Sequence, residues 1–363
     1  MNLLLKLKPV LLVLALTLML TLPARALLIN VTYDISLASA TNAPQIQTAF
    51  NAAAQTIQSL YTNNITINIT MYWGAFGPFS GGVGFGSSNT KFVGTYTYAT
   101  LTNALRLART TLEDSNAVAS LPPADPAPGG SWYVPRAQAK ALGLISSDLV
   151  LDGSVGFGTN FNFTFDPTNR AVAGKYDFVA LAERQITEVM GRVYIDLSAN
   201  FVPYDLFRFT SNGVRSLSVN ANGAYFSIDN GATPLRYFWT NASPGIVTDW
   251  LTAGPADCFD YQFSSGKKFV FSHADLIALD ILGYRLNYTR PRLTGLPSGT
   301  NFVLSFTNLP GSTYTLLATT NINLPITNWP TLGIVTDTVP GQFQFTDTQA
   351  GSQELRVYRT RLN

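Results

Sequence analysis

The chain has 363 residues, with 23 Lys and Arg against 21 Asp and Glu, one His and one Cys. His273 alone excludes a zinc site built on two or three imidazoles, and Cys258 alone excludes an intrachain disulfide, a zinc ribbon and a CxxC redox pair. The formal charge of +2 lacks the basic excess of a nucleic-acid binder, so no nucleic-acid partner is expected.

Residues 1–26 read as a secretory signal peptide. Lys6 and Lys8 form a positive start, residues 10–22 are apolar, and Ala24-Arg25-Ala26 is an A-x-A cleavage site. The rival reading is a membrane anchor, for which the run is short against the roughly 20 residues of a span. Removing the segment leaves 20 basic and 21 acidic residues, a net charge of −1. The expected product is exported, in the periplasm, at the cell surface or outside the cell, with no membrane span after cleavage.

The mature chain opens with a strand over 27–33. Ile46, Ala49, Phe50, Ala53, Ile57 and Leu60 then recur at helical spacing across 44–61, with Asn42 as N-cap. Ile65, Ile67 and Ile69 alternate as in a strand. Residues 74–86 are rich in Gly, Phe and Ser and read as a loop. Its aromatic residues, with neighbouring Tyr72 and Trp73, either line a groove or fold back on the core. A second helix is predicted over 98–112, a break over 122–130 and a short helix over 136–144. A hairpin is predicted over 153–166, turning at Thr159-Asn160. The third long helix covers 177–193, where Ala182, Ile186, Val189, Met190 and Val193 form one buried stripe. Short strands and turns fill 201–240, and a last helix over 274–282 stops at Gly283. From residue 288 the chain turns β-rich, with strand-like runs at 302–306, 314–317, 332–335, 342–345 and 355–359. The expected architecture is a mixed α+β domain over 27–287 and a small all-β sandwich over 288–363.

Ala182-Glu183-Arg184-Gln185-Ile186-Thr187-Glu188-Val189-Met190-Gly191-Arg192, with the lead-in at 171–178, resembles a family of bacterial secreted zinc metalloproteases. That family has a zincin-like fold and a helix motif of the form A-E-H-E-I-[ST]-E-V-M-G-R. Further segments match in order: Asp205 to Arg208, Gly213 to Leu217, Tyr225 to Asp229, Asp249-Trp250, Asp275-Leu276 and Leu279 to Tyr284. The resemblance spans roughly residues 29–287. The tail resembles the β-rich C-terminal modules of exported bacterial proteins.

The resemblance implies zinc, held by the first His of the motif and the Glu four residues on. These lie about 40° apart on one helix face. The Glu after the His would serve as general base. Here Arg184 stands at the first ligand position, Gln185 at the base position, and only Glu188 survives as a ligand. A guanidinium has no lone pair to give a metal, and Gln185 cannot take a proton from water. With the ligand set incomplete, no cofactor is expected. Arg184 and Glu188, at i and i+4, are expected to pair, the cation standing in the metal's place.

Other constellations are weaker. Ser272, His273 and Asp275 lack a G-x-S-x-G elbow, and Cys258 reads as a small core residue. The expected function is that of a non-catalytic homologue binding a peptide or protein in the former cleft. The alternatives are an active peptidase with an unusual metal site, using Glu188 with carboxylates or His273, and an adhesive protein acting on cell-surface or extracellular material through its tail.

Overall fold

In a computed structural model, the described residues are 27–362 apart from 196–198, 219–220, 241–246, 253–255, 288–290, 309–312 and 340. The expected signal peptide lies outside them, and the expected division at 287/288 adjoins an undescribed stretch. Six helices are present among the described residues: α1 (Ala43–Leu60), α2 (Tyr98–Ala108), α3 (Leu112–Ala119), α4 (Arg136–Ala141), α5 (Phe178–Val189) and α6 (His273–Asp280). None is long and apolar enough to cross a membrane.

The first half of the chain supplies β1 (Leu28–Tyr33), β2 (Thr66–Trp73), β3 (Gly86–Thr90), β4 (Phe92–Tyr96), β5 (Ser131–Pro135) and β6 (Gly153–Phe157). Four of these make one sheet in the order β1-β2-β6-β3. β1, β2 and β6 run parallel, and β3 closes the edge antiparallel to β6. Parallel neighbours need a crossover, and α1 supplies it between β1 and β2. The six apolar positions read from its spacing are all buried. Asn42 does stand at the N-cap, but its side chain makes no capping bond. Pro44 sits in the first turn instead, where its missing N–H has no intrahelical partner to lose.

The hairpin expected over 153–166 is not formed. β6 pairs with β2 and β3, and Phe163–Thr164 pairs in parallel with Tyr176–Asp177. Aromatic packing draws the segment away from β6. Phe161, Phe163 and Phe165 gather with Trp73, Phe85, Tyr176 and Phe178 at centroid distances of 4.7–6.5 Å. Most of the loop aromatics therefore serve the core: Phe79 is buried and Phe85 joins this cluster, while Phe76 stays half exposed. The second helix also differs, stopping at Ala108. Thr111 and Asp114 then form a reciprocal capping box that starts α3.

Helix α5 packs on α1 and along β3. The approach is close because β6 begins with a glycine. A Cβ at Gly153 would lie 2.6 Å from a methyl of Val189. Four of the five predicted stripe positions, Ala182, Ile186, Val189 and Met190, are fully buried, whereas Val193 lies beyond the end of the helix and is only partly buried. The helix ends two residues before Gly191, whose φ of 123° suits only glycine well.

Beyond residue 293 six antiparallel strands form one sheet with a hydrophobic cluster of its own. Leu304, Phe306, Tyr314, Leu316, Val335 and Phe343 make that cluster, apart from the main core. Phe302 stacks on Tyr358 at 5.6 Å although three strands separate theirs in the sheet. The sheet therefore curls over on itself.

Candidate functional site

Asp177 starts α5 by accepting from the Ala180 backbone N–H at 3.2 Å. It also accepts from the Arg170 Nε at 2.9 and 3.0 Å and from the Phe269 N–H at 3.0 Å. One carboxylate thus caps the helix and ties it to two other segments. Ten of the twelve helix residues are buried, and the two that reach solvent are Arg184 and Glu188, each 13% exposed at the side chain.

These two pair as expected, with Arg184 Nε donating to Glu188 Oε1 at 3.3 Å. A third group, absent from the sequence reading as a site residue, completes the arrangement. Arg184 Nη2 lies 2.7 Å from one oxygen of Asp249 and 2.8 Å from the other. Asp249 is only 1% exposed and is held by its backbone, whose carbonyl accepts from Trp239 N–H at 2.7 Å. On the far side, Ser88 Oγ on β3 donates to Glu188 Oε2 at 2.7 Å, and Thr90 Oγ1 donates to the Glu188 carbonyl at 3.1 Å. The guanidinium is thus bracketed by two carboxylates, one of them fastened to the edge strand.

Burial works against the Arg184 charge, but Asp249 and Glu188 outweigh it and hold the guanidinium firmly protonated. Burial raises the Glu188 carboxyl, opposed by Arg184 and by the Ser88 hydroxyl. Asp249 is pushed up to about 7 by burial, with Arg184 opposing and Glu188 adding to the rise.

Gln185, at the base position, is buried, and its Oε1 has no hydrogen-bond partner within the protein. His273 does not join Arg184 and Glu188. It begins α6, its Nδ1 is buried without a partner, and burial pushes its pKa down to about 4 against the pull of Asp275. Among the described residues, no three His, Cys, Asp or Glu side chains that include Glu188 come within metal-ligand reach of one another.

The one trio that does is Asp257, Cys258 and Asp275, all buried. Asp275 is already occupied. It pairs with Arg192, and accepts from Trp250 Nε1 at 2.9 Å, Ser272 N–H at 2.7 Å and Ser272 Oγ at 3.0 Å. Burial, with Asp275 and Asp257 beside it, raises the Cys258 thiol well above its usual range. Arg192 supplies the local cation, its guanidinium 3.2 Å from the Phe259 ring centre and 4.2 Å from that of Trp250. Four contacts, the Arg192 ion pair among them, thus converge on Asp275, while Asp257, Cys258 and Asp275 keep one ligand atom each within 4.8 Å of one another.

The donor set at 184, 188 and 249 does not suit zinc. Two oxygens converge, but the third corner is a fixed cation that repels a metal and offers it no lone pair. Asp249 was hard to find because it lies 65 residues from Arg184. The only sign was its place in the matched Asp249-Trp250 pair. Comparison with protein-family models, with curated proteins and with solved structures gives no match for this chain.

Proposed function

We propose that residues 27–287 form a zincin-like domain that carries an arginine in place of its metal and binds extended peptides without cutting them. In this reading residues 1–26 direct export from a bacterial cell. Residues 288–363 are then a β-sandwich module that holds the protein to cell-surface or extracellular material. The observation that carries the proposal is the Arg184 guanidinium lying between Glu188 and Asp249. A metal bound by those two carboxylates would need the same space and would meet a positive charge.

The peptide is assigned to the edge strand β3. Lys91 N–H bonds to the Asp152 carbonyl at 2.9 Å, which turns residues 87, 89 and 91 toward β6 in the antiparallel alternation. Gly86, Ser88 and Thr90 then direct their backbone N–H and C=O groups to the open edge, where an added strand pairs with them. A peptide laid there runs alongside Ser88 and Thr90, whose hydroxyls bond to Glu188.

The test is to pan the full mature chain against a library of extended peptides and measure the selected binders by calorimetry. Ser88→Pro removes one edge N–H, a change tolerated on edge strands. It is expected to weaken binding at least about tenfold, the loss of roughly 1.4 kcal/mol. Ser88→Ala, which loses only the side chain, should bind nearly as the parent does. Cleavage of casein by the zinc-supplied protein, abolished by a chelator, would overturn the proposal.

A further inference from the structure

We propose that Asp114 and Asp280 form a proton-held clasp that fastens helix α3 to helix α6 and loosens as pH rises. Asp280 is the last residue of α6 and is 1% exposed; Asp114 lies in the first turn of α3 and is 5% exposed. Thr111 links them. Its hydroxyl donates to Asp280 Oδ2 at 2.6 Å and accepts from the Asp114 N–H at 3.0 Å. Asp114 Oδ2 accepts from the N–H groups of Thr110 and Thr111 at 2.9 and 3.4 Å. Asp280 Oδ1 accepts from the Leu286 N–H at 3.3 Å.

None of these donors is a cation, a lack shared among the buried aspartates of the described residues only with Asp205, which stands alone and not in a linked pair. Asp152 faces Lys140, Asp177 and Glu183 face Arg170, Asp249 faces Arg184, Asp260 faces Arg236 and Asp275 faces Arg192. Among the described residues no basic side chain comes within 4.0 Å of Asp114 or Asp280. The nearest along the chain, Arg109 and Arg285, are exposed. Glu113 on α3 adds negative charge to the group. Tyr61, at the end of α1, is held neutral by its own burial and by Asp280.

Two buried carboxyls without a counter-cation cannot both stay ionised. Burial raises both, and mutual repulsion raises Asp280 further, against the Thr111 hydrogen bond. The closed clasp therefore holds protons that an opened one releases. Its advantage is complete below the ordinary carboxyl range and is lost as pH rises through the raised values. Each proton released shifts the opening equilibrium by up to about tenfold per pH unit.

The opening has a structural consequence. Residues 110–113 form one wall of a cavity of about 600 Å³, faced by Arg292, Tyr358 and Arg359 from the β-rich region. Thr111 belongs to both the clasp and that wall, so the clasp sets how the cavity is shaped.

Hydrogen exchange on the full mature chain tests this, after correction for the intrinsic pH dependence of amide exchange. Protection of α3 amides is expected to fall at least about tenfold from pH 6 to pH 8, while amides of α1 keep theirs. Asp280→Asn should remove that fall, and Asp114→Asn provides the same comparison if the first variant does not fold. Constant α3 protection in the parent, or an equal fall in a folded Asn variant, would overturn the clasp.

Discussion

The double variant Arg184→His, Gln185→Glu is expected to hold about one zinc ion per chain, measured by elemental analysis after loading and desalting. The expectation rests on Asp249. With Glu188 alone, one restored imidazole would leave only two ligands, too few for a structural or catalytic zinc. The contact of Arg184 Nη2 with both oxygens of Asp249 places a third potential ligand beside the cation. Removing the guanidinium also leaves two neighbouring carboxylates without a positive partner, which favours a divalent ion. The single variant Arg184→His should bind zinc nearly as well, since Gln185 stands at the base position and not at a ligand. A double variant that folds and retains no zinc would mean that the two carboxylates converge to suit an arginine alone.

The second large effect is expected at Arg192. Replacing it with Ala should destabilise the protein by about 4–5 kcal/mol in urea unfolding, or prevent folding. Arg192 is wholly buried, stacks between Phe259 and Trp250, and donates to the Thr248 carbonyl at 3.3 Å. Its loss strands the Asp275 carboxylate in the core and opens a void between two aromatic rings. Arg192→Lys should be nearly as damaging, because an ammonium cannot lie flat between rings and donate along two directions. Arg184→Met, at the more exposed pair, should cost less. Equal losses at the two positions would show that the Asp275 cluster is no more demanding than the surface site.

What the sequence revealed was mostly local. The stripe along α5 and the Arg184–Glu188 pair follow from one helical period; the pair is present as read, and the stripe is present except at Val193, where the helix has already ended. α3 escaped notice because it has only eight residues and buries just Asp114 and Ala117. Its start rests on a Thr-to-Asp capping box with no apolar rhythm behind it. The false hairpin shows the opposite failure. Thr159-Asn160 gives a plausible turn signal, but Gly153 and Gly156 admit Val189 and Phe79 against β6, and long-range packing decides where that strand pairs. Asp249 belongs with these non-local features, since no spacing rule joins it to position 184.

The composition of α5 also sets how far this protein stands from a metal-binding form. Ten of its twelve side chains are buried, Gln185 among them, so the helix positions least constrained by packing are Arg184 and Glu188. Histidine and arginine codons can differ by a single base, and so can those of glutamate and glutamine. Two point changes in the gene, one at position 184 and one a near-isosteric exchange at buried position 185, separate this helix from one carrying the proposed family's His-Glu motif. On the proposed reading, the arginine-filled site and a metal-binding one are therefore close neighbours in mutational terms.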